Sequence, residues 1–449
     1  MKTGHLVVLA TLAALAALFS LPAGPALGAS YVVDTTDDDA TVLKTACTGA
    51  ANDCSLRGAI TNANAASTPG DVITFDAAVF SPGTIAVASV LPALTGGSDT
   101  IDGTSATVII DSTDEGRGFN CLRIGSAGNT VKRLQFTDCN AAVLMNTGAS
   151  DNNTIGPDNT MFDNESGVGI SVSTATGNTM IGNKIGTNAA GSAIPAEGGN
   201  GTGVLIVDGA SNTVGGAIAA DRNIISGNLE GIDILGTGAT GNVVRGNFIG
   251  TDVTGTVDLG NGGNGVFVQS ATSNTIGGAL PGEGNLISGN STNVQLSFDA
   301  NNNTVQGNLL GPDISGGGAL ASSNGLILIG ASGNTIGPGN VISDNSTGGV
   351  IISGGSGNLF KGNRIGTNPG GTGGLPNGGD GMHIQFSAGP NTIGGTNPGD
   401  GNVIAFNGGD GIEVNGASAP AATGNAIRGN SIHSNTGLEI NNVSGGNLE

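Results

Sequence analysis

Residues Gly231 to Thr251 read GIDILGTGATGNVVRGNFIGT. Ile232 and Ile234 alternate with other residues, which is typical of a strand with one buried face. Two further apolar segments, Val243-Val244 and Phe248-Ile249, follow at turns of Gly, Asn and Thr. Gly and Asn tolerate the left-handed backbone angles of tight corners. The stretch therefore predicts three short strands with no helix between them.

The same units recur along the chain with a period near 60 residues. One pattern, Asn-Thr-(Ile/Val)-Gly, begins at Asn153, Asn212, Asn274, Asn334 and Asn391. A second, Gly-Asn-x-(Ile/Leu)-Gly, contains Asn183, Asn247, Asn308 and Asn363. Repeats of this kind are the sequence pattern of solenoid proteins, in which each unit buries its apolar face against its neighbours.

Each period contains two coils, because strands of the form Gly-apolar-x-apolar recur about twice as often. They begin at Gly169, Gly203, Gly231, Gly265, Gly325, Gly349, Gly381 and Gly411. Asn293-Val-Gln-Leu fills the gap in this series. Three short strands per coil predict an all-β, single-stranded parallel β-helix of about 11–13 coils. We expect the apolar positions to face the core and the corner Asn side chains to stack in ladders.

Composition excludes several classes of protein. The chain has 84 Gly among 449 residues, but these follow no three-residue period, so it is not a collagen. Charged residues make up 10% and hydrophobic residues 37%, unlike a disordered chain. The formal net charge of −21 argues against binding to nucleic acid.

The first 29 residues are predicted to be a signal peptide. Lys2 precedes an almost unbroken apolar run, mainly of Leu, Val and Ala, from Leu6 to Leu21, and small residues follow the break at Pro22. The alternative is an uncleaved membrane anchor, for which the run is short. No second stretch is long and apolar enough to span a bilayer. The protein is therefore expected to be secreted, either extracellular or at the cell surface.

The four cysteines agree with export, because disulfides form in oxidising compartments. Four cysteines allow three pairings. We favour Cys47–Cys54, which closes a short polar loop, and Cys121–Cys139, which spans about one coil. The alternative is that all four are reduced and buried. Their spacing does not resemble a zinc site.

The predicted organisation has four parts: a signal peptide at 1–29, an N-terminal cap at 30–70, a β-helix at 71–440 and a polar tail at 441–449. In the cap, the disulfide loop precedes a helix from Ser55 to Ala66, with Ser55 as its N-cap. This helix is suited to cover the first coil. At the other end we expect the last coil to be covered by a partner or by further residues, or to self-associate end to end.

A resemblance supports this interpretation. Cys54-Ser-Leu-Arg-Gly-Ala-Ile resembles the Cys-Ser-Leu-Arg-Glu-Ala motif of bacterial exported proteins, which precedes right-handed parallel β-helix repeats of the pectin-lyase-like type. Asp71-Val-Ile-Thr-Phe-Asp and the Ile-Gly-Thr-Asp-x-Thr-Gly unit from Ile249 to Gly255 are similar to that family too. The resemblance implies export and a right-handed helix, but no single activity. Gly58 departs from the motif, which has Glu there.

The x positions of the Gly-apolar-x-apolar strands are predicted to face outward and to stack from coil to coil; we call them the outward column. His383 and Glu413 occupy this position in successive coils, so they are weak candidates for general acid–base catalysis. Gln385 and Asn415 follow in the same strands and are weak binding candidates. Asp233 and Phe267, neighbours earlier in the column, are two more.

No metal or cofactor site is assigned from the sequence. Calcium is a minor alternative at two places. One is the acidic turn at 37–39, and the other is the pair of Gly-Gly-Asp units ending at Asp380 and Asp410, which resemble calcium-binding repeats loosely. Both units lack an Asp at the sixth position of that repeat.

The predicted function is that of an exported β-helix that serves as a structural, adhesive or polysaccharide-binding protein. Its partners would be extracellular polysaccharide or other surface proteins. The alternative is a polysaccharide lyase, hydrolase or epimerase of the pectin-lyase-like class, an analogy from fold alone. The absence of Trp and the single Tyr argue against that alternative, because sugar sites often stack rings on aromatic side chains. A passenger segment of a larger secretion system is a third alternative.

Overall fold

Three long parallel sheets wind around one narrow core in a right-handed parallel β-helix, as predicted. The computed structural model describes residues 28–38, 44–66, 68–104, 106–112, 118–320, 322–417 and 420–445. The predicted signal peptide lies outside these residues except for its last two positions. Among the described residues, no helix has the length and apolar character needed to cross a lipid bilayer.

Within the described residues the sheets contain 14, 13 and 12 strands and are named A, B and C here. The strands of sheet A are Ser30–Val33, Val72–Phe75, Thr100–Asp102, Thr130–Lys132, Thr154–Ile155, Thr179–Met180, Thr213–Val214, Val243–Val244, Thr275–Gly277, Thr304–Gln306, Thr335–Ile336, Leu359–Phe360, Thr392–Gly394 and Ala426–Arg428. Those of sheet B are Gly83–Ala86, Val108–Asp111, Gln135–Thr137, Thr160–Met161, Lys184–Ile185, Ile224–Ile225, Phe248–Ile249, Leu286–Ile287, Leu309–Leu310, Val341–Ile342, Arg364–Ile365, Val403–Ala405 and Ser431–His433. Those of sheet C are Leu122–Ile124, Ala141–Met145, Ser166–Ile170, Thr202–Val207, Glu230–Leu235, Asn264–Gln269, Thr292–Ser297, Asn324–Ile329, Gly348–Ser353, Met382–Gln385, Ile412–Asn415 and Ile440–Val443.

One coil takes one strand from each sheet. The coil predicted from Gly231 to Thr251 has its strands at Glu230–Leu235, Val243–Val244 and Phe248–Ile249. Two of them are only two residues long, because each is bounded by corners that turn the chain. Ile232 pairs with Val266 of the next coil, and both are fully buried. Stacking of identical apolar positions therefore builds the core.

Several sheet C strands have a glycine as their second residue, and the close approach of neighbouring coils requires it. A Cβ atom added to Gly203 would lie 2.6 Å from the carbonyl oxygen of Gly231, and one on Gly349 would lie 2.6 Å from that of Gly381. Real side chains do not approach a backbone oxygen so closely. The repeated Gly thus lets the coils stack at the spacing of a sheet.

Buried asparagines line three corners of the helix in ladders, as predicted. In each ladder, a backbone or side-chain N–H of one Asn donates to the side-chain oxygen of the Asn in the next coil. Ser322 replaces one Asn in the third ladder and accepts from the Gly289 N–H at 2.9 Å. These bonds satisfy buried backbone groups that the turns would otherwise leave without partners.

The two predicted disulfides are confirmed. Cys47 is bonded to Cys54, and Cys121 is bonded to Cys139. The predicted cap helix spans Leu56–Ala65, and the Ser55 hydroxyl accepts from the Gly58 N–H at 3.0 Å. A short 3₁₀ turn at Ala219–Asp221 is the other helical element among the described residues.

The stack reaches beyond 71–440 by one strand at its start and by part of a strand at its end. Ser30–Val33 pairs in parallel with Val72–Phe75, and Ile440–Val443 pairs with Ile412–Asn415. Both strands alternate less clearly between apolar and polar residues than the inner strands do. The strand predicted to begin at Gly169 instead spans Ser166–Ile170.

Candidate functional site

The outward column of sheet C stacks in the predicted register over eight coils. From N- to C-terminus its members are Leu205, Asp233, Phe267, Gln295, Ile327, Ile351, His383 and Glu413. A strand beginning at Gly169, as predicted, would place Ser171 in the preceding position of the column; this prediction is wrong, because Gly169 itself pairs with Leu205. The segment Gly-Val-Gly-Ile-Ser-Val fits the strand pattern in two phases, and burial of Val168 and Ile170 selects the first.

Asp233 and Phe267 lie together but form no polar cluster. Asp233 is 9% exposed, and one of its carboxylate oxygens has no hydrogen-bond partner among the described residues. Burial, together with the nearby charge of Glu230, raises the pKa of Asp233 to about 7. Five coils separate it from His383, a distance of about 24 Å. These two binding candidates therefore belong to a different part of the surface.

The other four candidates meet around the imidazole of His383. Its Nδ1 lies 3.6 Å from Glu413 Oε1, and its Nε2 lies 3.2 Å from Gln385 Oε1. The Asn415 amide donates to Glu413 Oε1 at 3.4 Å. A fifth residue completes the group: Asp380 Oδ2 is 3.2 Å from His383 Nδ1. We call these five residues the His383 cluster.

The cluster is half-buried and its charges are coupled. The hydrogen bond to Asp380 raises the pKa of His383, and the Glu413 carboxylate adds to this effect against the opposing effect of burial. Burial disfavours the Asp380 carboxylate, yet the hydrogen bonds from His383 and from the Asp410 backbone lower its pKa. The arrangement therefore stabilises an imidazolium beside two carboxylates.

Neighbouring coils hold Asp380 in place. The Asp410 N–H donates to Asp380 Oδ1 at 2.7 Å. Asp410, one coil further, accepts from the Leu438 N–H at 2.6 Å and from the Asn441 side chain at 2.7 Å. The two Gly-Gly-Asp units thus form a short aspartate ladder at the edge of sheet C. This ladder fixes the carboxylate that faces the imidazole.

A surface hollow of about 370 Å³ opens beside the cluster. Asp380, His383 and Gln385 supply its polar wall, and the outward side chain of Ile351 contributes apolar surface. Small-molecule sites are typically hollows of about 300–1,000 Å³ in which a few polar groups converge on an apolar surface. The hollow therefore has the size and chemistry of a modest binding site.

Asp380 is the member of the cluster that the sequence indicated only as a calcium alternative, and not as a neighbour of His383. It lies outside the outward column, so a search along the column does not reach it. Its position three residues before His383, in the repeat Gly-Gly-Asp-Gly, is the feature that indicates it. In the acidic turn at 37–39, Asp37 pairs with Lys44 and Asp38 pairs with Arg57, whereas Asp39 lies outside the described residues.

The chain is similar to several solved structures. The A-module of a mannuronan C-5 epimerase from Azotobacter vinelandii is 18% identical, with a TM-score of 0.43, over 87% of this chain and 93% of that module. The Dettilon tailspike protein is 15% identical, with a TM-score of 0.46, over 86% of this chain and 64% of the tailspike. A surface adhesin of Streptococcus pneumoniae is 12% identical, with a TM-score of 0.35, over 77% of this chain and 91% of the adhesin. No protein-family model and no curated protein matches the sequence.

Proposed function

We propose that this protein is an exported β-helix that binds polysaccharide through the hollow beside the His383 cluster. One observation carries the proposal: Asp380, His383 and Gln385 converge on one hollow, whereas the rest of the outward column is mixed and largely apolar. Together these side chains offer both donors and acceptors, as recognition of sugar hydroxyl groups requires. The two disulfides are consistent with an exported protein.

The net charge favours one class of ligand. With 34 acidic and 13 basic residues, the surface repels polyanions at long range. We therefore expect neutral polysaccharides to bind more tightly than polyuronates.

A second candidate function is catalysis on polysaccharide, as a lyase, hydrolase or epimerase. The observation that favours it is the contact of His383 Nδ1 with Asp380, with Glu413 close by. A carboxylate that orients an imidazole and raises its pKa is the arrangement used in general acid–base catalysis. Binding is preferred because the column offers no further acid near the cluster.

The test is a panel of neutral and uronate polysaccharides, assayed for binding by affinity electrophoresis. We expect Gln385→Ala to weaken binding about 10-fold, the effect of one lost hydrogen bond. Gln295→Ala is the matched control, because Gln295 occupies the outward column three coils earlier. Equal binding by wild type and Gln385→Ala would contradict the proposal.

The same panel separates the two functions. Reducing-end release, ultraviolet absorbance of unsaturated products and NMR of the sugar ring report hydrolysis, elimination and epimerisation. Any such turnover that His383→Ala abolishes would favour the enzyme over the binding protein. We expect binding without turnover.

A further inference from the structure

Three side chains of types that bind metal ions, from two adjacent coils, lie close together. Asp380, His383 and Glu413 each offer a ligand atom, and these atoms lie within 4.8 Å of one another. His383 and Glu413 are paired residues of neighbouring strands, and Asp380 lies two residues before the first of those strands. The sheet backbone therefore fixes the separation of the donors before any ion binds.

The distances fit a small divalent ion. His383 Nδ1 is 3.2 Å from Asp380 Oδ2 and 3.6 Å from Glu413 Oε1. Two ligands bonded to zinc at about 2.1 Å with a tetrahedral angle lie about 3.4 Å apart. The 3.6 Å separation is too long for a hydrogen bond. The N–H of Nδ1 can therefore donate only to Asp380, whereas a metal ion at this place could be bound by both carboxylates.

We propose that Asp380, His383 and Glu413 form a binding site for a divalent transition-metal ion, with zinc as its best occupant. One imidazole nitrogen with two carboxylate oxygens is a donor set that suits zinc and its neighbours in the periodic table. Calcium prefers six to eight oxygen ligands and does not favour nitrogen. The site therefore differs in chemistry from the calcium alternative suggested by the Gly-Gly-Asp units.

Outer contacts support this assignment. The nitrogen of His383 that does not face the carboxylates lies 3.2 Å from Gln385 Oε1, so its N–H can donate there. Metal-bound histidines almost always make such a bond, because it fixes the tautomer and the ring orientation. Asp380 Oδ1 accepts from the Asp410 N–H at 2.7 Å, which leaves Oδ2 for an ion.

Three protein ligands leave one coordination position of a tetrahedral ion open. Asp380 and His383 line the hollow, so this position would face the ligand space. A sugar hydroxyl could then complete the coordination. This last step rests on the proposed function, whereas the metal site itself does not require any polysaccharide to bind.

The experiment is isothermal titration of chelator-treated, full-length protein with zinc chloride, without polysaccharide. We expect one ion per chain with micromolar affinity. His383→Gln and Glu413→Gln should each weaken binding by on the order of 100-fold, and Gln385→Leu by about 10-fold, as outer contacts usually do. Cobalt(II) in place of zinc should give an absorption spectrum typical of four-coordinate nitrogen and oxygen ligation.

His433→Ala is the matched control, since His433 is the other histidine among the described residues and is exposed on sheet B. Its zinc affinity should equal that of wild type. Unchanged affinity in His383→Gln would overturn the proposal, as would the absence of zinc binding or displacement of zinc by equal calcium. The cobalt spectrum tests the wild-type site directly if the variants fold poorly. Failure of glycan binding with retained zinc binding would reject only the proposed function.

Discussion

Arg57 holds Asp38 in a buried, two-pronged ion pair at the N-terminal end of the β-helix. The guanidinium donates from Nε to Asp38 Oδ1 at 3.0 Å and from Nη2 to Oδ2 at 2.7 Å. Arg57 also donates to the carbonyl oxygens of Ser89 and Val90, both at 2.8 Å. The arginine of the Cys-Ser-Leu-Arg segment therefore ties the cap helix to the first coils.

The first prediction follows from this contact. Arg57→Ala leaves the Asp38 carboxylate buried without its partner, which typically costs about 3–5 kcal/mol. We expect hydrogen exchange in the helix Leu56–Ala65 to rise sharply, with smaller changes in the later coils. Lys184→Ala, which breaks the more exposed pair with Asp158, should cost about 1 kcal/mol or less. Equal losses in the two variants would refute a special role for Arg57.

The second prediction concerns Gly58, where this chain departs from the resembling motif. A Cβ atom at this position would collide with the carbonyl oxygen of Lys44. Gly58→Ala should therefore lower the melting temperature and loosen the cap, although Ala is the better helix former. Gly317→Ala is the control, because Gly317 lies on an exposed loop with only the Ser315 hydroxyl nearby. A Gly58→Ala protein as stable as wild type would contradict the steric argument.

The third prediction tests which face of sheet C is buried. Leu326 is fully buried, whereas Ile327, the next residue of the same strand, lies in the half-exposed outward column. Leu326→Asp places an unpaired charge in the core and should unfold the surrounding coils, because each coil is supported by its neighbours. Ile327→Asp should fold and melt near the wild-type temperature. Thermal melts followed by circular dichroism distinguish the two variants. Similar melting temperatures would contradict the assignment of Leu326 to the core and Ile327 to the outward face.

The coil architecture could be predicted because its physical determinants repeat. Alternation such as that of Ile232 and Ile234 gives the buried face, and repetition at a fixed period gives the register. That register predicts His383 beside Glu413, and their side chains approach to 3.6 Å. A local residue pattern is sufficient to predict the strand register when the same pattern recurs in every coil.

Features outside the alternating strand pattern were harder to predict. Asp380 lies before the strand that contains His383, so the alternation that places His383 beside Glu413 does not predict its contact with His383. The contact between Asp38 and Arg57 joins residues 19 apart in the chain, and no repeated pattern links them. The phase of the strand around Gly169 was ambiguous, since two frames satisfied the same pattern and only packing selects one.

The fourth prediction is a pH dependence of stability set by Asp233. Its pKa is about 7 in the folded protein, mainly because of burial, against about 3.9 in an unfolded chain. The folded state therefore holds the proton more tightly, so stability is greatest below about pH 4 and falls as the pH rises to 7. At 1.36 kcal/mol per pH unit, the total loss is on the order of 4 kcal/mol.

Asp233→Asn removes this titration, so its stability relative to wild type should increase steadily between pH 4 and pH 7. Glu230→Gln should narrow the pH range over which stability falls, because the Glu230 charge contributes to the raised pKa of Asp233. Urea denaturation at several pH values measures both effects. Parallel stability profiles for wild type and Asp233→Asn would show that Asp233 ionises freely in the folded protein.

The fifth prediction concerns the C-terminal face of the stack. Ile440 pairs with the buried core residue Ile412 of the preceding coil, yet it is 46% exposed, because no strand follows it among the described residues. Leu438 is 56% exposed beside it. Unpaired strand edges and apolar core positions invite pairing with another chain. We therefore expect end-to-end self-association, detected as a rising mass in light scattering as concentration increases.

Ile440→Lys should suppress this self-association, because the charge would have to be buried between two stacks. Leu280→Lys is the control, since Leu280 is 66% exposed on a lateral loop and should have no effect. A wild-type protein that stays monomeric at every concentration, with residues 438–445 resistant to protease, would mean that this segment already covers the last coil.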